Sequence, residues 1–386
     1  MLDVVILGAG PAGGTAARII SENGLDVLLL DRERFPRIKP CGGGLTSRAL
    51  ELLPTHSDAL IKAWPVKWVF EGRGPQRLTR TVKTEAPYSH IVHRPAFDQW
   101  LVECAQAAGA QFHDNEAVTA IEPITGGYQV TTTRSTYRTR YLIGADGGRG
   151  ISARLLGFSR PKNGAAVEVE IPVSDAVYAK WRESVLINTA DYPWGYAWVI
   201  PRYPVLNIGV GSFHANRLRL QPLLHEWVAA KLGPDAGRDQ AMLAHPLPYR
   251  YQPARLAKER ALLVGDAAGL MDALSAEGIY SALYSASLAA QTVIAQSPHD
   301  ASLEIYDHRL QRELWPGLKA AAKLALMFYP LPGMWSKIFL ANPDLIEQYL
   351  KVAQGQAPYS SLLVQGQRTL LRRLRLSPSS LEGIGD

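Results

Sequence analysis

The period of hydrophobic positions changes several times along the chain. Val4-Val5-Ile6-Leu7 and Val27-Leu28-Leu29-Leu30 are short, uniformly apolar runs, as expected of strands buried on both faces of a parallel sheet. Between them, Gly14-Thr15-Ala16-Ala17-Arg18-Ile19-Ile20 reads as a small-residue helix, so strand, turn, helix and strand follow in order. Arg260-Ala261-Leu262-Leu263-Val264 predicts a further buried strand, and Tyr280 to Ala295 a helix rich in small residues. Arg94-Pro95-Ala96-Phe97 opens another helix, with proline in its first turn and Phe97, Leu101, Cys104 and Ala105 at helical spacing, which places Cys104 on a buried face. Strand patterns fill the gaps. Lys67 to Gly72, Arg77 to Val82 and Ile91 to His93 form one set; Ala165 to Val173, Ser184 to Asn188, Tyr196 to Ile200 and Leu206 to Phe213 form another. The two sets are expected to pair as an antiparallel sheet over a shared cavity. The organisation is interleaved: residues 1–60, 94–160 and 255–310 in one discontinuous domain, 61–93 and 161–254 in the antiparallel-sheet domain, and 311–386 in a C-terminal helical region.

Three glycine-centred segments give the first of these domains its chemistry. Gly8-Ala9-Gly10-Pro11-Ala12-Gly13 lies between the first strand and the first helix. Gly8 permits the turn, Gly10 lets the backbone approach a pyrophosphate, Gly13 lets helix and strand pack closely, and with Ala12 they open a helix whose N-terminus favours negative charge. Asp31, about twenty residues on at the end of the second strand, is placed to accept the hydroxyls of an adenosine ribose. An acid there favours FAD or NAD over NADP. Gly144-Ala145-Asp146-Gly147 adds Asp146, and Gly265-Asp266-Ala267-Ala268-Gly269 places Asp266 where it can meet a ribityl chain and a pyrophosphate. A helix starting near Gly278 and Ile279 would aim backbone amides at the pyrimidine edge of a flavin. The three segments together specify one FAD site. The fold class is α/β: a Rossmann-type FAD-binding domain interleaved with an antiparallel β-sheet substrate domain, plus C-terminal helices.

Two further segments have chemistry of their own. In Pro36-Arg37-Ile38-Lys39-Pro40-Cys41-Gly42-Gly43-Gly44, Cys41 follows two cations and precedes three glycines. That setting suits a reactive thiol of lowered pKa; it also suits a small residue that merely fits beside a ring. Tyr196 and Trp198 alternate on a predicted strand and share one side, with Trp194 one step further, which gives an aromatic wall or ordinary sheet core.

These elements resemble a known group, the FAD-dependent oxidoreductases with the p-hydroxybenzoate hydroxylase fold, and within it the geranylgeranyl reductase family. Lys39 to Gly43 is similar to that family's Lys-x-Cys-Gly-Gly element; Tyr196-Ala197-Trp198-Val199-Ile200-Pro201 is similar to its Tyr-x-Trp-x-Phe-Pro element, with Ile200 in place of Phe. The resemblance covers the chain to about Ala320. It implies that the loop of Cys41, Gly42 and Gly43 lies beside the isoalloxazine, that Arg94 contacts the flavin-side part of FAD, and that the backbone of Val118 meets the adenine. It further implies hydride transfer from N5 of reduced FAD to a C=C bond of an isoprenoid chain, with Cys41, Tyr196 and Trp198 as candidate catalytic or lining residues. No second complete dinucleotide unit is seen, so the reductant is expected to be transiently bound NADPH or a ferredoxin-like electron-donor protein. Two other readings stay open. The stretch Trp194 to Pro201 resembles the Trp-x-Trp-x-Ile-Pro element of flavin halogenases, with Tyr196 replacing the first Trp, so an aromatic hydroxylase or halogenase is one. A flavoprotein that modifies a protein partner is the other.

Composition narrows the setting. The chain has 386 residues, two cysteines and a net charge of +6. Cys41 and Cys104 make no disulfide framework, which fits a reducing, cytoplasmic compartment. His90, His93, His113 and His245 have no ligand spacing, so no metal site is expected. Met1 leads directly into the first strand, without a signal-peptide pattern. The most apolar region, Ala320 to Ala341, contains Lys323, Pro330, Pro332 and Lys337, which argues against a membrane span. Arg368, Arg372, Arg373 and Arg375 cluster among Leu370, Leu371, Leu374 and Leu376: a basic amphipathic stretch that fits either peripheral contact with an anionic membrane or a solvated helix face. No motif supports nucleic-acid binding, and Ser377 to Asp386 reads as a frayed tail.

Overall fold

The computed structural model describes residues 1–55, 60–63, 67–71, 79–83, 89–189, 191–192, 194–214 and 218–374. Gly72, Arg77, Pro193, Arg375 and the Ser377 to Asp386 tail, and the side chains of Leu370 to Leu374, lie outside the described residues. The fold is α/β, with a Rossmann-type sheet, a sheet roof and C-terminal helices.

The uniformly apolar runs form the centre of the first sheet. Leu2–Leu7 lies between Val27–Leu30 and Thr136–Gly144, parallel to both, and Gln111–His113 and Ala261–Leu263 extend the parallel set on either side. Val4, Val5, Ile6, Leu28 and Leu29 are wholly buried because helices cover both faces. Pro11–Glu22 and Ile279–Gln296 pack on each other, and Arg94–Ala107 packs on the first of them. Small residues at Ala282, Ala286, Ala289 and Ala290 of the long helix are buried in this core. Cys104 is only half-buried, in contrast to its expected buried position, and burial raises its thiol pKa.

The second sheet runs Leu243–Tyr249, Lys162–Pro172, Val205–Ser212, Gly195–Arg202, Ser184–Asn188, Lys67–Glu71 and Thr79–Lys83. It departs from the sequence expectation twice. Lys67–Glu71 pairs with Ser184–Asn188 in parallel, so the sheet is mixed at that junction. Ile91 does not join it. Ser89–Val92 pairs instead with Gly44–Thr46 and Ile61–Ala63 in a small separate sheet. Alternation predicted the strand, but an apolar residue buried by a helix and one buried by a sheet look alike in sequence.

One face of the mixed sheet is closed by helix Leu220–Leu232, whose Leu224, Trp227 and Val228 pack on Val167, Val169, Val199, Ile208 and Val210. The other face looks toward the Rossmann-type sheet. Helices Trp315–Phe328, Pro332–Leu340, Pro343–Ala353 and Tyr359–Leu374 close the far side, with Leu340, Ile346 and Leu350 packed on Phe70. Among the described residues no helix is long and apolar enough to cross a membrane.

Candidate active site

The two large sheets and the C-terminal helices enclose a cavity of about 740 Å³. One end is built by the glycine-centred loops. Gly8, Gly10, Ala12, Asp31, Val118, Asp146, Asp266, Gly278 and Ile279 all line it, as do Cys41, Gly42, Gly43 and Arg94. Gly13 and Gly265 are buried just behind: a Cβ on Gly13 would fall 1.8 Å from the Gly8 carbonyl oxygen, so helix and turn meet there without space for a side chain.

The residues at this end fit a flavin dinucleotide. Helix Pro11–Glu22 begins at Gly10 with no side-chain cap, so its first-turn amides are left for an anion. Helix Ile279–Gln296 likewise starts uncapped at Gly278, on the cavity wall. Asp31 is fixed by amides, accepting from Ala9 N at 2.8 Å and Glu33 N at 2.9 Å, at the carboxyl end of its strand. The Asp146 carboxylate instead accepts from Ile151 N at 2.7 Å and Ser152 N at 2.8 Å, so it shapes the following turn and offers the cavity mainly its backbone.

Two ionic clusters lie along the cavity floor, the first around the wholly buried Asp98. Arg94 opens its helix and donates from Nε and Nη2 to the two oxygens of Asp98, both at 2.8 Å, while Arg37 reaches Asp98 Oδ2 at 3.1 Å and Asp31 Oδ2 at 3.7 Å. In the second cluster Lys39 contacts His245 Nε2, which lies 3.9 Å from Asp266 Oδ2. Burial, with Arg94 and Arg37 nearby, brings the Lys39 ammonium down to about 8. Burial and Lys39 lower His245, against the pull of Asp266. Burial would raise Asp266, but His245 and Lys39 more than offset it and hold the carboxyl below the ordinary range. Asp98 and His245 carry no motif that singles them out in the sequence, and Arg37 stands there only as a cation preceding Cys41.

The roof over this floor is the inner face of the mixed sheet. Its register sets Glu168 opposite Gly209 and Gly209 opposite Trp198, with Ala166, Gly211 and Tyr196 in the neighbouring row. Tyr196 and Trp198 both face the cavity, their rings 5.9 Å apart. Trp198 Nε1 donates to Asn207 Oδ1 at 2.7 Å, and the Tyr196 hydroxyl donates to the Ser275 carbonyl at 2.6 Å. Burial pushes the Tyr196 phenol far above its usual range. Trp194 does not continue the wall. It stacks on His214 at 3.9 Å and packs toward Tyr329, because its backbone turns at positive φ just before the strand begins.

Cys41 sits where floor and roof meet. Its amide donates to Glu168 Oε1 at 2.8 Å, its sulfur accepts from Gly43 N at 3.3 Å, and Arg94 lies against the thiol. Glu168 is the residue that sequence reasoning missed. It is 4% exposed, lines the cavity, and burial raises its carboxyl above the usual range, against the stabilising Cys41 amide and the Arg202 charge. In Val167-Glu168-Val169-Glu170 an alternating acid reads as solvent-facing; only the sheet's position over the floor turns it inward.

Beyond Trp198 the cavity continues as an apolar arm between Trp68, Phe70 and Ile187 of the roof and Leu324, Ile338, Phe339 and Tyr349 of the C-terminal helices.

A family model described as FAD binding domain matches residues 1–312. A geranylgeranyl diphosphate reductase of Synechocystis is 28% identical over 332 residues, covering 79% of this chain and 80% of the relative. Among solved structures, a geranylgeranyl bacteriochlorophyll reductase-like protein of Thermoplasma acidophilum superposes with a TM-score of 0.74 at 19% identity, over 97% of this chain and 98% of that one. A flavin-dependent brominase gives 0.72 at 18% identity, over 95% and 99%. Similarity of fold at that identity does not separate reductase from halogenase chemistry.

Proposed function

Since the chain belongs to the geranylgeranyl reductase family of FAD-dependent oxidoreductases, we propose that it saturates C=C bonds of an isoprenoid chain. The observation that carries this reading is the continuous cavity, whose lining includes the dinucleotide loops, Cys41, Trp198 and an apolar arm of aromatic and aliphatic residues. A polyprenyl chain needs such a slot, whereas a single aromatic ring does not.

Gly8, Gly10, Ala12 and Gly13 would hold the pyrophosphate, Asp31 the adenosine ribose, Val118 the adenine, and Asp266, Gly278 and Ile279 the flavin end, with Asp146 shaping the wall and Cys41, Gly42, Gly43 and Arg94 against the ring. Bound and reduced, FAD would supply a hydride, and NADPH, or two successive one-electron transfers from a ferredoxin-like protein, would restore its two electrons. The reaction also needs a proton. An isolated alkene accepts hydride poorly unless the neighbouring carbon is protonated, so the chain must place an acid in a dry site and steady the positive charge that develops.

Glu168 has the properties of that acid. It is buried, lines the cavity beside Cys41 and Trp198, and remains protonated to higher pH than an ordinary glutamic acid. Tyr196 and Trp198 line the cavity and would offer aromatic surface to the developing cation. With the Tyr196 hydroxyl committed to Ser275, its role is to line and hold the slot. Cys41 joins Glu168 to the loop through its amide and would hold that loop beside the ring.

The test is an anaerobic incubation of the reduced protein with geranylgeranyl diphosphate, following flavin reoxidation and product mass. Stepwise gain of two hydrogens per double bond is expected; a flavin that stays reduced until oxygen enters rejects this substrate. For Glu168→Gln, turnover should fall by roughly 10²–10⁴ with little change in KM. Wild-type turnover should fall as pH rises through the raised Glu168 pKa, because the acid is then lost; the variant should lack that limb. An unchanged pH profile in Glu168→Gln would assign the proton to another group.

A further inference from the structure

The turn joining helices Trp315–Phe328 and Pro332–Leu340 carries large apolar side chains in water. Leu326 is 46% exposed, Met327 39%, Leu331 57% and Met334 44%. They are contiguous along one helix end, the turn and the next helix start, where a folded domain would ordinarily place polar residues. The charged residues within this stretch are of one sign. From Trp315 to Asn342 the chain has Lys319, Lys323 and Lys337 and no aspartate, glutamate or arginine, and all three lysines are exposed. On the first helix, Lys319, Lys323 and Met327 recur at four-residue spacing, so one stripe passes from cationic to apolar as it nears the turn.

The same turn borders the cavity. Met327, Phe328 and Trp335 line the cavity, and Met327 is also exposed, so cavity wall and surface patch share this residue. We infer that this helical hairpin docks on an anionic lipid bilayer, its apolar tip entering the interface and its lysines facing the head groups, and that a lipid-borne chain passes from the bilayer directly into the arm. An apolar tip with a cationic shoulder is the composition that binds such an interface, and an apolar surface adjoining the cavity wall gives a long chain a short route from the bilayer. The docking surface deepens the isoprenoid reading and rests on it for the identity of the cargo alone; binding to the bilayer needs no turnover.

The basic amphipathic stretch beginning at Arg368 is a separate candidate for membrane contact; at Leu326 to Met334 apolar exposure, exposed lysines and cavity wall coincide.

Flotation of the flavin-loaded full chain on phosphatidylcholine vesicles, with and without phosphatidylglycerol, tests the inference. The wild type should float with the phosphatidylglycerol vesicles, and salt should weaken the association. The double variant Leu331→Asp, Met334→Asp should bind those vesicles at least about tenfold less, and each of Lys319→Glu, Lys323→Glu and Lys337→Glu roughly fivefold less. Flavin absorbance and circular dichroism identical to wild type identify a folded variant. Absence of flotation by the wild type on anionic vesicles would overturn the proposal, as would a folded Leu331→Asp, Met334→Asp protein that still floats. Loss of binding on removing residues 368–386, with the hairpin variants unaffected, would return the contact to the C-terminal stretch. A wild-type dimer that the same double variant converts to monomer would assign the patch to a second copy instead.

Discussion

Asp98 is a single buried carboxylate that serves two guanidiniums. It is wholly buried, holds Arg94 through two bonds and Arg37 through a third contact, and so fixes two cations at the cavity floor. Asp98→Ala leaves two buried positive charges without their main partner and should cost about 3–5 kcal/mol, read from denaturant unfolding of the flavin-free protein. Lys39 gives a pH signature. Its pKa is about 8 in the folded chain against 10.5 ordinarily, so between those values the unfolded chain binds more protons and stability should rise with pH. Comparing wild type with Lys39→Met across that window isolates the effect; equal slopes would show that Lys39 keeps an ordinary pKa. Below pH 8 the group is charged in both states, and the cost of burying it is then present in full.

At the scale of elements, the active site depends on ties between strands and loops that are far apart in sequence. Tyr196 lies on the roof strand Gly195–Arg202, and its hydroxyl holds the carbonyl of Ser275 in the loop that precedes helix Ile279–Gln296. Tyr196→Phe removes that donor and leaves a carbonyl without it, which should lower stability by about 1–3 kcal/mol. Turnover should change by a few-fold at most. A fall of roughly 10²–10⁴ would instead make Tyr196 the proton donor. Trp198 is held similarly, by Asn207 on the adjacent strand and by the contact of its ring with Gly209, where a Cβ would lie 2.0 Å from Trp198 Cζ2. The glycine in Asn207-Ile208-Gly209 therefore belongs to the aromatic wall as much as to its own strand.

For the whole molecule, the C-terminal helices form one wall of the cavity's apolar arm. Ala353 ends helix Pro343–Ala353 and lines the arm with Tyr349 and Leu362. Ala353→Trp should fill the arm and lower turnover of a C20 chain about tenfold relative to a C10 chain, as expected when an apolar pocket loses space for several methylenes. Flavin content should be unaltered. Equal loss on both chain lengths would place the chain elsewhere in the cavity. Much of this arrangement can be traced in the sequence, though unevenly. The uniform runs at Val4–Leu7 and Val27–Leu30 and the helix opened by Arg94 are recovered because local burial period is enough to identify them. Ile91 is displaced into a separate sheet and Trp194 leaves the wall, since alternation specifies a strand and not its neighbour.

The sequence by itself determined the dinucleotide loop, the α/β fold and the family, because these rest on short-range features: a glycine where backbone meets backbone, an acid at a strand end, a motif of adjacent residues. Tertiary structure alone decided which acid is buried beside Cys41, which cations share Asp98, that Lys39 meets His245 and Asp266, and that the cavity wall and the exposed patch share Met327. Each of these joins residues separated by a strand crossover or a whole sheet, and the burial that shifts their protonation exists only once the two sheets and the terminal helices have closed on one another.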